Sequence, residues 1–184
     1  GVLKIIAKSD GSGGYTSARI KSENLQEFTY GTVKVRAKLP AKQGTWPAIW
    51  MLGANFDLDG WPKCGEIDIM EQLGSDKGKV LGTCHWLNTS NNSYASYGLE
   101  KSVTNATSQF HVYSMVWDAS TIKILVDNVQ FYVIDIGNSG IPNSPFHKDF
   151  FLIFNVAMGG SLGGTIDSGF TQDTMEIDYV RVYQ

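Results

Sequence analysis

The chain has 184 residues, of which 15 are Lys or Arg and 18 are Asp or Glu, so its formal net charge is −3. This charge argues against a nucleic-acid partner, because proteins that bind nucleic acids carry basic patches that displace phosphate counterions. Hydrophobic residues make up 42% of the chain, yet no apolar stretch approaches the roughly 18 to 20 residues that cross a bilayer. The composition predicts a folded domain with neither nucleic acid nor membrane as partner.

No linker, charge block or low-complexity run divides the sequence. We therefore expect residues 1–184 to form a single domain. The two cysteines, Cys64 and Cys84, are too few for a disulfide scaffold. Their positions predict side chains on opposite faces of a sheet, so we expect two free thiols.

Short apolar or alternating segments, separated by turn-forming residues, predict that most of the chain is β-strand. In the clearest segment, 32–39, apolar and polar residues alternate strictly before Pro40. The other predicted strands, in chain order, are 3–8, 15–21, 46–52, 66–71, 80–86, 111–117, 122–126, 129–134, 150–156 and 175–183.

Asp127 and Asn128 join two of these predicted strands, 122–126 and 129–134. Both residue types tolerate positive φ, so they predict a tight hairpin with a type I′ turn. Many short strands with Gly-rich turns, and no regular alternation of strands and helices, favour an all-β fold. We predict a two-sheet antiparallel β-sandwich or jelly roll.

The segment 65–71 places three carboxylates, Glu66, Asp68 and Glu71, in an otherwise strand-forming stretch. In a regular strand, Glu66 and Asp68 share one face and Glu71 points to the other. A one-residue β-bulge near Ile69–Met70 brings all three acids to the same side, and bulges are over-represented beside active sites. The sequence therefore predicts a bulge here.

With that bulge on a curved sheet, we expect the carboxyl groups of Glu66 and Glu71 to stand roughly 5 Å apart, as in a retaining glycosidase. One carboxylate would attack the anomeric carbon, while the other would donate a proton to the departing oxygen. Asp68 would orient one glutamate and, through like-charge repulsion, help to keep another carboxyl protonated. A bell-shaped pH profile with an acidic optimum is expected.

Two other interpretations of these acids remain open at this point. The acids could form a solvated strand face that only aids solubility, although like charges side by side destabilise a sheet. Three oxygen ligands could also hold Ca²⁺. However, the segment lacks the Asp/Asn-Gly loop of an EF-hand and the HExxH helix of zinc enzymes.

Tryptophans flank the acids: Trp46, Trp50 and Trp61 precede them and Trp86 follows. Indole rings pack well against the C–H face of a sugar. Trp46 and Trp50 share strand parity, so they can form one platform, with core packing as the alternative for each. Trp117 lies in an apolar run and is predicted to be in the core.

The segments 46–52 and 65–71 resemble glycoside hydrolase family 16, in particular its laminarinase-type endo-β-1,3-glucanases. The extra residue between the second and third acid resembles the bulged branch of that family. Further stretches that carry the resemblance are 15–19, 30–40, 82–86, 110–113, 155–160 and 177–183.

The resemblance implies a concanavalin-like jelly roll whose concave sheet carries an open cleft for a β-glucan polysaccharide. It also implies that Glu66 is the nucleophile, Glu71 the acid/base and Asp68 the assisting carboxylate. The residues expected to contact the sugar are Trp46, Trp50, Trp61, Arg19, His85 and Asn155. For His85 and Asn155, a purely structural role is the alternative.

The resemblance implies that the chemistry needs no cofactor, and that Asp178 in the last strand contributes to a structural calcium site. Family members usually begin with strands before the part that matches Leu3, and we expect the chain to lack them. That lack would affect the calcium site and the glycone end of the cleft. It would also leave a sheet edge beside the last strand unpaired.

These observations favour a secreted, monomeric, retaining endo-β-1,3-glucanase. A non-catalytic glucan-binding domain of the same fold is the alternative from another class, although such a domain has no need of both glutamates. A third hypothesis keeps the mechanism and changes the polymer to mixed-linkage glucan, agar or carrageenan.

Overall fold

The computed structural model describes residues 1–137 and 140–184, and they form two antiparallel sheets of seven strands each. The strands are β1 (Leu3–Ser9), β2 (Tyr15–Thr16), β3 (Arg19–Lys21), β4 (Glu27–Phe28), β5 (Gly31–Lys38), β6 (Thr45–Gly53), β7 (Glu66–Gln72), β8 (Lys79–Asn88), β9 (Ser93–Ser102), β10 (His111–Trp117), β11 (Thr121–Val126), β12 (Val129–Asp135), β13 (Phe150–Met158) and β14 (Gln172–Tyr183). The predicted all-β, two-sheet sandwich is confirmed.

Helical structure is sparse in the described residues. It comprises α1 (Phe56–Asp59), α2 (Gly160–Gly163) and a 3₁₀ turn (Pro145–His147). None of the helices in the described ranges has the length and apolar character needed to cross a membrane.

One sheet, called here the back sheet, has the strand order β12-β11-β10-β5-β14-β1-β2. The other, called the cleft sheet, has the order β3-β13-β6-β7-β8-β9, with β4 also paired to β13. β7, which carries the three acids, therefore lies inside the cleft sheet with a neighbour on each side.

The hydrophobic core lies between the sheets and follows the alternation seen in the sequence. In β5 of the back sheet, Val33, Val35 and Ala37 are fully buried, while the residues between them are only half-buried. They join one cluster with Ile67 and Phe150 of the cleft sheet. This alternation fixes which face of each strand points away from the core.

The predicted hairpin between β11 and β12 is confirmed. Asp127 and Asn128 have φ values of 51° and 65°, as a type I′ turn requires. The Asp127 carboxylate accepts a hydrogen bond of 2.9 Å from the Val112 amide, and its other oxygen lies 2.6 Å from His111 Nδ1. The turn residue thus ties the hairpin to β10.

The expectation of an unpaired sheet edge beside the last strand is wrong. β14 is paired with β5 on one side and with β1 on the other. Local pattern does not reveal the pairing of β14, because the neighbour of a strand is decided by the order of the whole sheet.

The predicted strand 15–21 is divided in the structure into β2, which lies in the back sheet, and β3, which lies in the cleft sheet.

Both cysteines are free and buried, as expected. Cys84 lies in the main core, whereas Cys64 packs with Leu52, Phe151 and Ile153 in a small separate cluster. Burial raises the pKa of the Cys64 thiol to about 11 and also raises the pKa of Cys84.

Replacing Asp127 with alanine is expected to lower the free energy of unfolding by about 1 to 2 kcal/mol. The change removes two hydrogen-bond acceptors and leaves a Cβ-bearing residue at positive φ without side-chain support. Urea denaturation measures the effect. As the matched control, Asn128→Gly is expected to match or slightly exceed the wild type, since glycine adopts positive φ freely. Equal midpoints for Asp127→Ala and wild type would contradict this account.

Candidate active site

The predicted β-bulge is present in β7. Asp68 and Glu71 pair with Thr83 and Leu81 of β8, so positions three apart on β7 face positions two apart on β8. The register against β6 shifts at the same place. One residue of the segment 69–70 is therefore extra, as the sequence predicted.

The bulge restores the phase of the strand for the third acid. Ile69 and Met70 are consecutive, yet both are buried in the core. After them, Glu71 returns to the face of Glu66 and Asp68, and all three acids line one cavity of about 200 Å³. Glu66 and Glu71 therefore share one surface, as the sequence predicted. The separation of about 5 Å between their carboxyl groups stays a prediction.

A trough crosses the outer face of the cleft sheet and is made of three adjoining cavities. The central one contains the acids. It shares Trp46, Glu66 and Glu71 with a cavity of about 490 Å³ that extends towards β9. On the other side, it shares Arg19 and Trp50 with a cavity of about 330 Å³ that extends towards α1. This arrangement suits an extended chain that lies across the strands.

Glu71 is held by a tryptophan of the neighbouring strand. The indole N–H of Trp46 donates a 2.9 Å hydrogen bond to Glu71 Oε1. Burial raises the pKa of Glu71, and the Trp46 hydrogen bond and nearby His85 partly offset that rise. Trp46, predicted as a sugar platform, thus also orients a predicted catalytic carboxyl.

His85 on β8 stands beside the other two acids. Its Nε2 lies 2.9 Å from Asp68 Oδ2 and 3.7 Å from Glu66 Oε1. Burial, followed by the Asp68 charge, raises the pKa of Glu66 to about 8, and His85 opposes the rise. Burial and then Glu71 raise the pKa of Asp68 well above its ordinary value. His85 therefore lies beside two of the predicted catalytic acids.

The three acids differ in burial, and burial raises the pKa of each of them. Asp68 is 2% exposed and Glu71 is 9% exposed, whereas Glu66 is only half-buried. The charges of Asp68 and Glu71 both raise the pKa of Glu66, so the three acids do not all ionise together near neutral pH. The site is thus suited to one carboxylate and one neighbouring acid.

Arg19, Trp50 and Asn155, predicted to bind sugar, lie together beside the central cavity. The Trp50 indole N–H donates a 2.7 Å hydrogen bond to Asn155 Oδ1, and the Arg19 guanidinium lies 5.3 Å from the centre of the Trp50 ring. These contacts fix the Trp50 ring as part of the trough wall. The predicted common face for Trp46 and Trp50 is confirmed, and their contact with sugar stays a prediction.

Trp61 lies at the rim of the trough and is 49% exposed. The centres of the Trp61 ring and the Tyr94 ring of β9 lie 5.3 Å apart, and both rings contact His85. Sequence reasoning missed Tyr94. β9 is polar on both faces and gave no hydrophobic alternation, so the only available signal was its two tyrosines in a Ser-rich stretch. Trp117, as predicted, is in the core.

In the described ranges, Glu66, Asp68 and His85 are the one cluster of carboxylate, imidazole or thiol groups spaced to hold a metal ion. Two of its members, Glu66 and Asp68, are acids that the sequence predicts to be catalytic.

The residues around Asp178 do not fit a calcium site by themselves. Asp178 Oδ2 lies 2.7 Å from Arg36 Nη1, and this ion pair supplies the positive charge that a cation would bring. Among the residues described, Asp178 belongs to no group of three or more potential metal ligands. Calcium at Asp178 stays a prediction.

Known proteins resemble this chain over almost all of its length. Residues 2–181 match the family described as "Glycosyl hydrolases family 16". Glucan endo-1,3-beta-glucosidase A1 of Niallia circulans is 38% identical over 181 residues, which cover 92% of this chain and 26% of that protein. Beta-glucanase of Rhodothermus marinus is 37% identical over 195 residues, which cover 100% of this chain and 68% of that protein. The chain thus spans about a quarter of the length of the first of these relatives.

Solved structures share the fold over the whole chain. LamA of Zobellia galactanivorans, in complex with laminaritriose and laminaritetraose, has a TM-score of 0.90 and 45% identity, and the match covers 100% of this chain and 79% of that one. The laminarinase catalytic domain of Thermotoga maritima has a TM-score of 0.86 and 38% identity, with 100% and 78% covered.

The electrostatics of the site predict that Glu66→Gln stabilises the protein at pH 8. The folded-state pKa of Glu66, about 8, exceeds the ordinary 4.5, so the stability contributed by this group is full at low pH and is lost as pH rises towards 8. A neutral amide avoids that loss. Calorimetry at pH 8 is expected to show a gain on the order of 1 to 2 kcal/mol, which disappears at pH 4.

Glu176→Gln is the matched control, because Lys38 lies 3.0 Å from Glu176 on the back sheet and holds the pKa of that carboxyl below its ordinary value. This variant is not expected to gain stability at pH 8. If Glu66→Gln is no more stable than wild type at pH 8, burial does not raise the pKa of the Glu66 carboxyl in the folded protein.

Proposed function

Because the chain belongs to glycosyl hydrolases family 16, we propose that it hydrolyses internal β-1,3 linkages of β-glucans such as laminarin. The observation that carries the proposal is the bulge that places Glu66 and Glu71 in one cavity, flanked by Trp46 and Trp50. The relatives named as β-1,3-glucanases and laminarinases support this substrate class. A trough that continues on both sides of the acids supports cleavage inside a polymer.

In the first step, the ionised Glu66 attacks the anomeric carbon and forms a glycosyl ester. Glu66 is the group suited to this role, because it is the most exposed of the three acids and a substrate can reach it. At the same time, Glu71 gives its proton to the glycosidic oxygen, which leaves with the remainder of the chain. The Trp46 hydrogen bond holds the Glu71 carboxyl in place.

In the second step, a water molecule attacks the same carbon and restores Glu66. Glu71, now ionised, takes the proton of that water and returns to its starting state. Asp68, buried beside both glutamates, orients them, and burial raises its own pKa well above the ordinary value. Two displacements at one carbon retain the anomeric configuration.

This chemistry uses carboxylic acids and water alone and therefore requires no cofactor. Both glutamates come from one strand of one chain, so we propose that a monomer is active. A glucan polymer does not pass a cell membrane, so we propose that the enzyme is secreted and meets its substrate outside the cell.

The central test is the release of reducing sugar from laminarin. Wild-type protein is expected to release it, and Glu66→Ala is expected to be slower by roughly a thousandfold or more. Azide is expected to restore turnover of this variant and to give an α-glycosyl azide, because it enters the space of the missing nucleophile. Glu176→Ala, on the back sheet, is the control and is expected to keep wild-type activity. Wild-type protein that binds laminarin without cleaving it would indicate a glucan-binding domain.

The stereochemistry of the product provides an independent test. ¹H NMR of the reaction with laminarin is expected to show the β-anomer of the new reducing end first, followed by mutarotation to the α-anomer. Parallel assays on mixed-linkage glucan, agar and carrageenan are expected to be slower than the assay on laminarin. Initial formation of the α-anomer would refute the double displacement, and faster cleavage of another polymer would refute the proposed substrate.

A further inference from the structure

His85 is held at both ring nitrogens. Its Nε2 faces the acids, 2.9 Å from Asp68 and 3.7 Å from Glu66, while its Nδ1 lies 2.7 Å from the hydroxyl of Tyr94. Tyr94 belongs to β9, and its position is diagonal to His85, which itself pairs with Ser96. Long side chains in such diagonal positions can reach one another across a sheet.

The two nitrogens of a neutral imidazole have different roles, because one carries hydrogen and the other carries a lone pair. When Glu66 is ionised, a lone pair on Nε2 would face a negative charge, whereas an N–H there would stabilise it. Nδ1 must then accept a hydrogen bond, and the Tyr94 hydroxyl is placed to donate one.

We propose that Tyr94 is a positioning residue that fixes His85 in the Nε2–H tautomer, so that an N–H and not a lone pair lies on the side of the ring next to Glu66 and Asp68. This inference rests on the proposed function for its catalytic consequence, although the tautomer itself is a property of the free protein. Metal-ligating histidines are oriented by the same kind of hydrogen bond to the second nitrogen, and loss of such bonds commonly costs activity.

The ring and the hydroxyl of Tyr94 have separable roles. The ring is 22° from parallel with the His85 ring and also contacts Trp61, so it can support a sugar at the rim of the trough. Tyr94→Phe keeps that ring and removes only the hydrogen bond. A loss confined to sugar binding is thus distinguishable from a loss of His85 orientation.

The pH profile reports on this orientation because His85 affects the titration of Glu66. The titratable groups that act on Glu66 are Asp68 and Glu71 from β7 and His85 from β8, and the Cys64 thiol lies just before β7. Without the Tyr94 donor, the imidazole can place its lone pair towards the acids. Ionisation of Glu66 then becomes less favourable, so the acidic limb of activity moves to higher pH.

The kinetic test compares wild type with Tyr94→Phe on laminarin across a range of pH. The variant is expected to show a kcat roughly three- to tenfold lower, corresponding to one lost hydrogen bond, with little change in KM. Its acidic limb is expected at higher pH than that of wild type. A superimposable pH profile, or a rise in KM alone, would overturn the proposal.

Tyr97→Phe is the matched control on the same strand. Tyr97 is 41% exposed, and no hydrogen bond of its hydroxyl is found in the part of the chain that the structure describes. Removing that hydroxyl is expected to leave kcat and the pH profile unchanged. An equal effect of both substitutions would assign the loss to β9 as a whole and would refute a specific role of Tyr94.

Long-range ¹H–¹⁵N NMR of the imidazole rings tests the tautomer without any substrate. The chain has only three histidines, so a His85→Gln spectrum assigns the signals of His85. Wild type is expected to show the Nε2–H form, and Tyr94→Phe a mixture or the Nδ1–H form. A wild-type Nδ1–H form, in which a protonated Asp68 donates to Nε2, would overturn the proposal. If the wild-type protein shows the Nε2–H form but does not cleave laminarin, the proposed function is refuted and the inference about Tyr94 and His85 is not.

Discussion

The site depends on one extra residue in β7. Without the bulge, Glu71 would point into the core between the sheets, where an acid has no partner and burial of its charge is costly. With the bulge, Ile69 and Met70 fill the core together, and Glu71 joins Glu66 on the outer face. Because β6 and β8 both pair with β7, backbone hydrogen bonds hold the bulge from both sides. The reacting groups are therefore positioned by a sheet interior and not by a loop.

Gathering three acids in one trough has an electrostatic cost that the proposed chemistry uses. Burial raises the pKa of all three, and the charges of Asp68 and Glu71 raise that of Glu66 further. The Trp46 N–H and His85 act in the opposite direction and limit the rise. The protein thus keeps a charged and a neutral carboxyl side by side in the same strand, at some expense to its stability near pH 8.

Sequence reasoning predicted the parts that depend on local pattern. Alternation in β5 gave a buried face, Asp127 and Asn128 gave the hairpin, and three acids in a strand required a bulge, because an unbulged strand would send Glu71 into the core. The pairing of β14 with β1 was not predictable, since it depends on the order of distant strands. β9 was missed because it is an edge strand with polar side chains on both faces, and Tyr94 was missed with it.

The two cysteines give the fold a chemical property of a different kind. A thiol reacts with oxidants, alkylating reagents and other thiols mainly as the thiolate, and at Cys64 and Cys84 that form is suppressed by burial. The pair is also separated, one in the main core and one in the smaller cluster. Thiolate chemistry at these two side chains is thereby suppressed in the folded protein, and packing, not a covalent cross-link between its cysteines, keeps the two sheets together.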